Sequence, residues 1–266
     1  MQIPSMGLGT FRLKEQEVVA AVSTGLELGY RHIDTAQIYD NEAEVGRALA
    51  ASGVPRGEVF LTTKIWTEHL APGRLIPSLE ASLAKLQTEQ VDLTLIHWPS
   101  PRDEIPVAVY MEQLAEARAR GLTRHIGVSN FTVRHLQAAI DAVGADAILT
   151  NQVELHPLFR NEPIVEFCRA RGIRVTAYMP LAYGKVLEEP VLQAIGAAHG
   201  VSPASVALAW LLQEGHIAIP ASTRRSHLQA NLDAAGLRLS EAELARVRGI
   251  ATNQRLVSPD FGPAWD

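Results

Sequence analysis

Eight short apolar runs recur along the chain with helix-length intervals between them. This spacing restricts the fold more than any other feature of the sequence. The runs are Met6–Thr10, His32–Ala36, Phe60–Ile65, Val91–Trp98, Arg124–Asn130, Ile148–Glu154, Arg174–Pro180 and Ile217–Ser222. From His32 to Arg174 successive starts lie 24 to 33 residues apart, the length of one βα unit. The last interval, 43 residues, holds two helical patterns, Val191–Gly200 and Pro203–Gly215. Most runs are apolar on both faces, which suits parallel strands covered by helices. Helical stripes fill the gaps: Val18, Val22 and Leu26 before Gly29, then Leu75, Leu79, Leu83 and Leu86. Val133–Gly144, Glu162–Gly172 and Ser226–Gly236 each end at a glycine suited to a left-handed stop. Ser202-Pro203 reads as an N-cap followed by a first-turn proline, and Ser240 with Glu243 as a capping box. Eight βα units without a linker predict an α/β fold: one (β/α)8 TIM barrel over residues 1–266, with extra helices near the C-terminus. A doubly wound sheet would need a glycine-rich turn after its first strand. Gly7-Leu8-Gly9-Thr10 instead falls inside the first run and lacks the third glycine.

Charge and cysteine content narrow the function. Against 24 Lys+Arg stand 29 Asp+Glu, a net charge of −5, so strong non-specific binding to nucleic acid is not expected. Cys168 is the single cysteine, which excludes an internal disulfide and a cysteine-rich metal site. The opening Met1–Met6 lacks the charged and apolar regions of a signal peptide. No apolar run approaches the ~18 residues of a membrane helix. A cytoplasmic protein without a membrane partner is the expectation.

In such a barrel, chemistry gathers at the C-terminal ends of the strands. Strand 2 ends at Asp34 with Tyr39 just beyond, strand 3 at Lys64, strand 4 at His97. Strand 5 ends at Ser129-Asn130, strand 6 at Asn151-Gln152, strand 7 at Tyr178 and strand 8 at Ser222. A lysine and an aspartate on apolar strands are expensive to bury unless paired, and Asp34 and Lys64 lie on neighbours. Taken singly, each residue also has a plain structural reading as a cap, a core histidine or a surface aromatic. Their convergence is what points to chemistry. A Lys64 cation beside Tyr39 would stabilise the phenolate and lower the phenol's pKa from about 10. Asp34 would keep Lys64 charged, and His97 could hold a substrate oxygen. Such a set protonates an oxygen gaining negative charge, as a carbonyl does on accepting hydride. Glu154-Leu155-His156 contains metal-ligand residue types, but two ligands fall short of a site, and loop hydrogen bonding is the favoured reading.

At these positions the sequence resembles the aldo-keto reductases. The carrying motifs are Gly29–Ala36, Tyr39, Asn41-Glu42, Thr63-Lys64, Leu95–Pro99, Gly127–Phe131, Asn151–Glu154 and Ile219-Pro220. Thr10–Lys14, Trp98–Pro101 and Arg255–Pro259 resemble most the bacterial 2,5-diketo-D-gluconate reductase B type, whose members also reduce methylglyoxal. The resemblance implies a tetrad of Tyr39 as general acid, Lys64 and Asp34 as its tuners, and His97 as orienter. It implies NADPH (NADP+) as cofactor, with Ser129, Asn130 and Gln152 at the nicotinamide carboxamide and Tyr178 stacked on the ring. Leu181, Lys185, Ser222, Thr223, Arg224, Arg225 and Asn231 fall at further cofactor positions, and Phe11, Trp66 and Trp98 at pocket positions. Two departures stand out. Met179 replaces a frequent serine, and Ala221 and His227 replace basic residues usual at the 2′-phosphate, where Ser222–Arg225 offers a helix start instead. Compared with the family, Gln2-Ile3-Pro4 is a stub of the usual hairpin, so thin cover of the lower barrel end is expected. The short Thr252–Asp266 segment suggests an open pocket for small polar carbonyls rather than steroids.

The expected function is therefore NADPH-dependent reduction of small aldehydes and ketones, with a small-molecule carbonyl as partner and a monomeric state. A cofactor-binding regulatory or sensor subunit on the same fold is the alternative. A Schiff-base lyase using Lys64 is more remote, because pairing with Asp34 would keep the amine protonated.

Overall fold

A computed structural model describes residues 2–266. Its strands are β1 (Leu8–Gly9), β2 (His32–Asp34), β3 (Phe60–Ile65), β4 (Val91–Ile96), β5 (Thr123–Ser129), β6 (Ile148–Glu154), β7 (Arg174–Tyr178) and β8 (Ile217–Ala218). They pair in chain order, all parallel. Met6 bridges Ala218 in parallel, and Gly9 N–H donates to the Pro220 carbonyl at 3.1 Å, which closes the sheet into a barrel. This seam explains the first glycines without any nucleotide. A Cβ on Gly9 would lie 2.7 Å from the Ile219 carbonyl oxygen, so a side chain there would force the seam open.

All eight expected runs are strands, several trimmed at their C-terminal ends. The trimmed residues, among them Thr35, His97, Asn130, Pro180 and Pro220, leave the ladder and form the upper rim. Between the strands lie α1 (Glu15–Leu28), α2 (Glu42–Ala51), α3 (Leu75–Leu86), α4 (Val107–Ala119), α5 (Val133–Val143) and α6 (Glu162–Ala170). The long interval before β8 holds α7 (Pro190–His199) and α8 (Pro203–Gln213), and α9 (Arg225–Asp233) and α10 (Glu241–Arg248) follow. The stop at Gly29 is left-handed (φ 106°), the Ser202 hydroxyl accepts from Ser205 N–H, and the Ser240–Glu243 capping box is formed in both directions. Two stops differ: Gly144 combines a positive φ with an extended ψ (83°, 148°), and Gly236 ends a 3-10 turn and takes no left-handed conformation. No single helix among the described residues is long and apolar enough to cross a membrane.

The core has two layers. Helix stripes pack on the outer face of the sheet, while Ile3, Phe60, Leu93, Leu95, Ile217 and Ile219 fill the barrel interior. Ile3 is 5% exposed, among residues at the N-terminal ends of the strands. The short N-terminal stretch thus plugs the lower end with one side chain, where thin cover was expected.

Candidate active site

The upper rim is where the polar residues meet. Tyr39 sits on a single 3-10 turn, Gln37–Tyr39, directly after β2. That turn has no local cap and is fixed from outside. Gln37 donates to the Ser78 carbonyl and the Ser82 hydroxyl at 3.1 Å each, while its carbonyl accepts from Trp66 N–H at 2.8 Å. Asn41 donates to the carbonyls of Thr10 and Leu13 and accepts from the Thr35 hydroxyl. The turn carrying Tyr39 is therefore bolted to α3, β3 and the loop after β1.

Lys64, on β3, is fully buried, and all three of its N–H donors are used. They reach Asp34 Oδ1 at 2.5 Å, the Thr35 carbonyl at 2.8 Å and the Tyr39 hydroxyl at 3.2 Å. The second Asp34 oxygen accepts from Gln152 at 2.7 Å. Burial alone would lower the Lys64 pKa, but Asp34 and then Tyr39 reverse this, and the net shift is upward, so the amine stays cationic. Tyr39 departs from expectation. Burial raises its pKa more than the Lys64 cation lowers it, so its net shift is upward and it holds its proton at neutral pH. His97 lies well below the usual imidazole value, first through burial and then through the Lys64 charge, and so is neutral. Its Nδ1 is buried without a hydrogen-bond partner among the described residues. The ring stands edge-on to Tyr39 and Trp66, with centroids 5.7 and 5.2 Å away.

A cavity of about 560 Å³ opens above this cluster. Asp34, Tyr39 and His97 line it, together with Ser129, Asn130, Gln152, Tyr178, Leu181, Phe11, Trp66 and Trp98. Lys64 lies behind Tyr39. Ser129 donates to the Gln152 carbonyl, Asn130 donates to the His97 carbonyl, and Tyr178 donates to Asn130 Oδ1 at 2.8 Å. This uncharged amide-and-hydroxyl set beside an aromatic ring matches a flat ring bearing a carboxamide, the end of a nicotinamide cofactor. The rest of the expected cofactor set lies apart. Lys185, Thr223, Arg224 and Arg225 are exposed and Ser222 is half-buried, none of them lining the cavity, and Asn231 is buried beside the Tyr30 hydroxyl. Arg225 is already paired with Glu27 of α1 at 2.7 Å, whereas Arg224 has no ion pair among the described residues. Ser222 Oγ accepts from Arg224 N–H at 3.2 Å, shaping the start of α9.

Several cavity residues were not expected at the site: Ile38 and Tyr183 carried no signal, and Arg12 and Val257 stood out only as parts of resembling segments. Arg12 lies 4.9 Å from the Tyr183 ring centroid and 5.2 Å from that of Phe11, joining the loops after β1 and β7 across the rim. The C-terminal segment also does more than its length suggested. Phe261 stands edge-on to Trp66 and Trp98 at 5.7 and 5.4 Å, and Trp265 packs on Trp98 at 5.9 Å. Trp98 is consequently only 6% exposed, and the pocket is walled on that side by aromatic rings rather than open.

Known proteins resemble this chain over most of its length. The family model described as the aldo/keto reductase family matches residues 5–252. The methylglyoxal reductase DkgB of Salmonella typhimurium is 55% identical over 267 residues, covering all of both chains. An aldo/keto reductase of Synechocystis is 36% identical, covering 98% of this chain and 89% of the relative. Among solved structures, one described as a putative 2,5-diketo-D-gluconic acid reductase B superposes with a TM-score of 0.95 at 42% identity, covering 99% of this chain and 94% of the other. An aldose reductase from Schistosoma japonicum gives 0.91 at 32% identity, with coverage of 97% and 91%. With the barrel, the rim cluster and a family match over nearly its whole length, the chain belongs to the aldo/keto reductase family, a family of oxidoreductases that use nicotinamide cofactors.

Proposed function

We propose that the chain reduces small aldehydes and ketones with NADPH, favouring α-oxo carbonyls such as methylglyoxal and 2,5-diketo-D-gluconate, and that Tyr39 is the proton donor. The observation that carries this reading is the buried Asp34–Lys64–Tyr39 chain of hydrogen bonds ending at a cavity beside neutral His97. A bound reduced nicotinamide supplies hydride to the carbonyl carbon. Ser129, Asn130 and Gln152 would hold its carboxamide, and Tyr178 would pack against its ring. His97 orients the carbonyl oxygen toward Tyr39. As that oxygen gains charge it takes the Tyr39 proton, and Lys64 stabilises the phenolate left behind. A saturated Lys64 ammonium has no lone pair to offer, which disfavours the Schiff-base reading. Every group in this scheme comes from one barrel over residues 1–266, so a monomer suffices.

Tyr39→Phe tests the reading. The ring stays and only the transferable proton is lost, so methylglyoxal reduction should fall by roughly 10²–10⁴ while NADPH binding, read by fluorescence titration, persists. Near wild-type turnover would remove Tyr39 from its role. On substrates, kcat/KM for methylglyoxal should exceed that for a steroid ketone by several powers of ten, because an activated carbonyl needs less help from the acid and aromatic rings wall one side of the pocket. Similar efficiencies would overturn the small-carbonyl assignment.

A further inference from the structure

Glu154, at the end of β6, is fully buried, and neither Asp34–Lys64 nor the cavity uses it. Its two carboxylate oxygens are spent on other partners. Oε1 accepts from Leu256 N–H at 2.7 Å and Oε2 accepts from Val257 N–H at 2.7 Å. Oε1 also faces His156 Nε2 at 3.0 Å. A carboxylate that accepts from two successive backbone amides is a two-point clamp, and charge-assisted bonds of this kind are about twice as strong as neutral ones. The clamped residues belong to the C-terminal segment. Val257 lines the cavity, and four residues further on Phe261 seats on Trp66 and Trp98. The segment has further ties on either side of the clamp: Arg160 N–H to Asn253 Oδ1, Gln254 N–H to the Leu158 carbonyl, Arg255 over the Phe159 and Trp265 rings, and Asp266 accepting from Val133 N–H. Glu154 sits beside Tyr178 in the β6–β7 register and two residues beyond Gln152, so one strand end serves both the candidate nicotinamide site and the segment.

We propose that Glu154 is a positioning residue for substrate selection: by clamping the Leu256 and Val257 amides it holds the aromatic wall of the pocket in place. The proposal rests on the carbonyl-reductase reading above for its kinetic part, but not for its structural part. The wall stands one ring away from His97, because Phe261 packs on Trp66 and Trp66 on His97. A two-carbon head group reacting at His97 does not reach it, whereas a carbonyl bearing a phenyl ring does. Loosening the wall should therefore penalise large α-oxoaldehydes and spare small ones.

Two variants and two readouts test this. Glu154→Gln keeps the shape but turns one acceptor into a donor facing a backbone N–H. Leu256→Pro deletes one clamped N–H at a residue outside the barrel strands. Amide hydrogen exchange of the full chain at residues 256–258 reads the clamp with no reference to activity, and steady-state kinetics with phenylglyoxal and methylglyoxal read its consequence. Glu154→Gln should lose at least tenfold protection at residues 256 and 257, and Leu256→Pro, which has no amide at 256, at residue 257. KM for phenylglyoxal should rise about tenfold with kcat within twofold, and kcat/KM for methylglyoxal should change less than threefold. Unchanged protection overturns the clamp, as does an equal loss on both substrates. If Glu154→Gln does not fold, Leu256→Pro decides alone. A wild-type chain inactive on every carbonyl would sink the proposed function, while the exchange data would still report whether the clamp exists.

Discussion

At the scale of single residues, the sequence reveals charge more readily than geometry. Asp34 and Lys64 stand out because ions on apolar strands demand a partner, and the structure pairs them at 2.5 Å. Removing one partner leaves the other buried and uncompensated. Lys64→Met should therefore lower stability by about 3–5 kcal/mol, visible as a drop in the urea midpoint, as well as suppress reduction. A variant of unchanged stability would mean that Asp34 takes up a proton at little cost. Tyr39 was expected beside Lys64 and lies there, but what holds its turn was not legible, because Gln37 fixes it through Ser78, Ser82 and Trp66, all distant in sequence. Nor was the net direction of its pKa: proximity to Lys64 is a pairwise inference, whereas burial depends on the whole rim. With Tyr39 protonated to above 10 and His97 neutral well below 6.5, neither group titrates in between. The kcat for carbonyl reduction should hence stay flat from about pH 7 to about pH 9. Activity would be lost above the phenol's pKa, where the acid has no proton, and below the imidazole's, where His97 gains one. A break inside the flat window, measured at saturating NADPH and substrate, would contradict the assigned states.

Elements were legible where burial is one-sided or total. The strands read as apolar runs because helices cover one face and the barrel interior the other. Two helices gave no leucine stripe. α2 buries Val45, Gly46 and Ala48, and a Cβ on Gly46 would lie 2.5 Å from the Lys85 carbonyl, so close helix packing there is built from missing atoms. α4 mixes Tyr110, Met111 and Ala117 into its buried face. The start of α9 shows what pairing across elements can do to a motif. Arg224 and Arg225 are equivalent in the sequence, yet Glu27 of α1 engages only the second. For a cofactor phosphate at this helix start, Arg224→Ala should weaken NADPH several-fold more than NADH, and Arg225→Ala should do so much less. Dissociation constants for both cofactors check this, and equal effects of the two alanines would show that the Glu27 pair does not restrain Arg225.

Over the whole molecule, buried histidines tie stability to pH. Burial pulls both His32, inside the lower barrel, and His216, before β8, down to about 4. The unfolded chain takes up these protons near pH 6.5 and the folded chain only near pH 4. Between those values the unfolded state binds more protons, so their contribution is complete above pH 6.5 and is lost as pH falls toward 4. Each residue adds a slope on the order of 1 kcal/mol per pH unit. Urea unfolding at pH 7, 6 and 5 should show this loss, and His32→Gln should make it shallower. An identical slope in the variant would assign the acid sensitivity elsewhere.

The seam between β1 and β8 has a consequence for when the molecule becomes competent during synthesis. Asp34, Tyr39, Lys64 and His97 all precede residue 98, so the proton-handling cluster belongs to the first half of the nascent chain. The cavity does not. Gly9, Phe11 and Arg12 face Ile219, Pro220 and Ala221 across the closure, and Val257 comes later still. Joining the two ends must overcome the entropy of closing almost the entire chain as a loop, and the short seam offers few hydrogen bonds in return. A ribosome-bound chain that has released only β1 through β7 thus carries reactive side chains without a chamber to hold a ligand over them. Small-molecule ligands can favour the native state only after the eighth strand has emerged and docked.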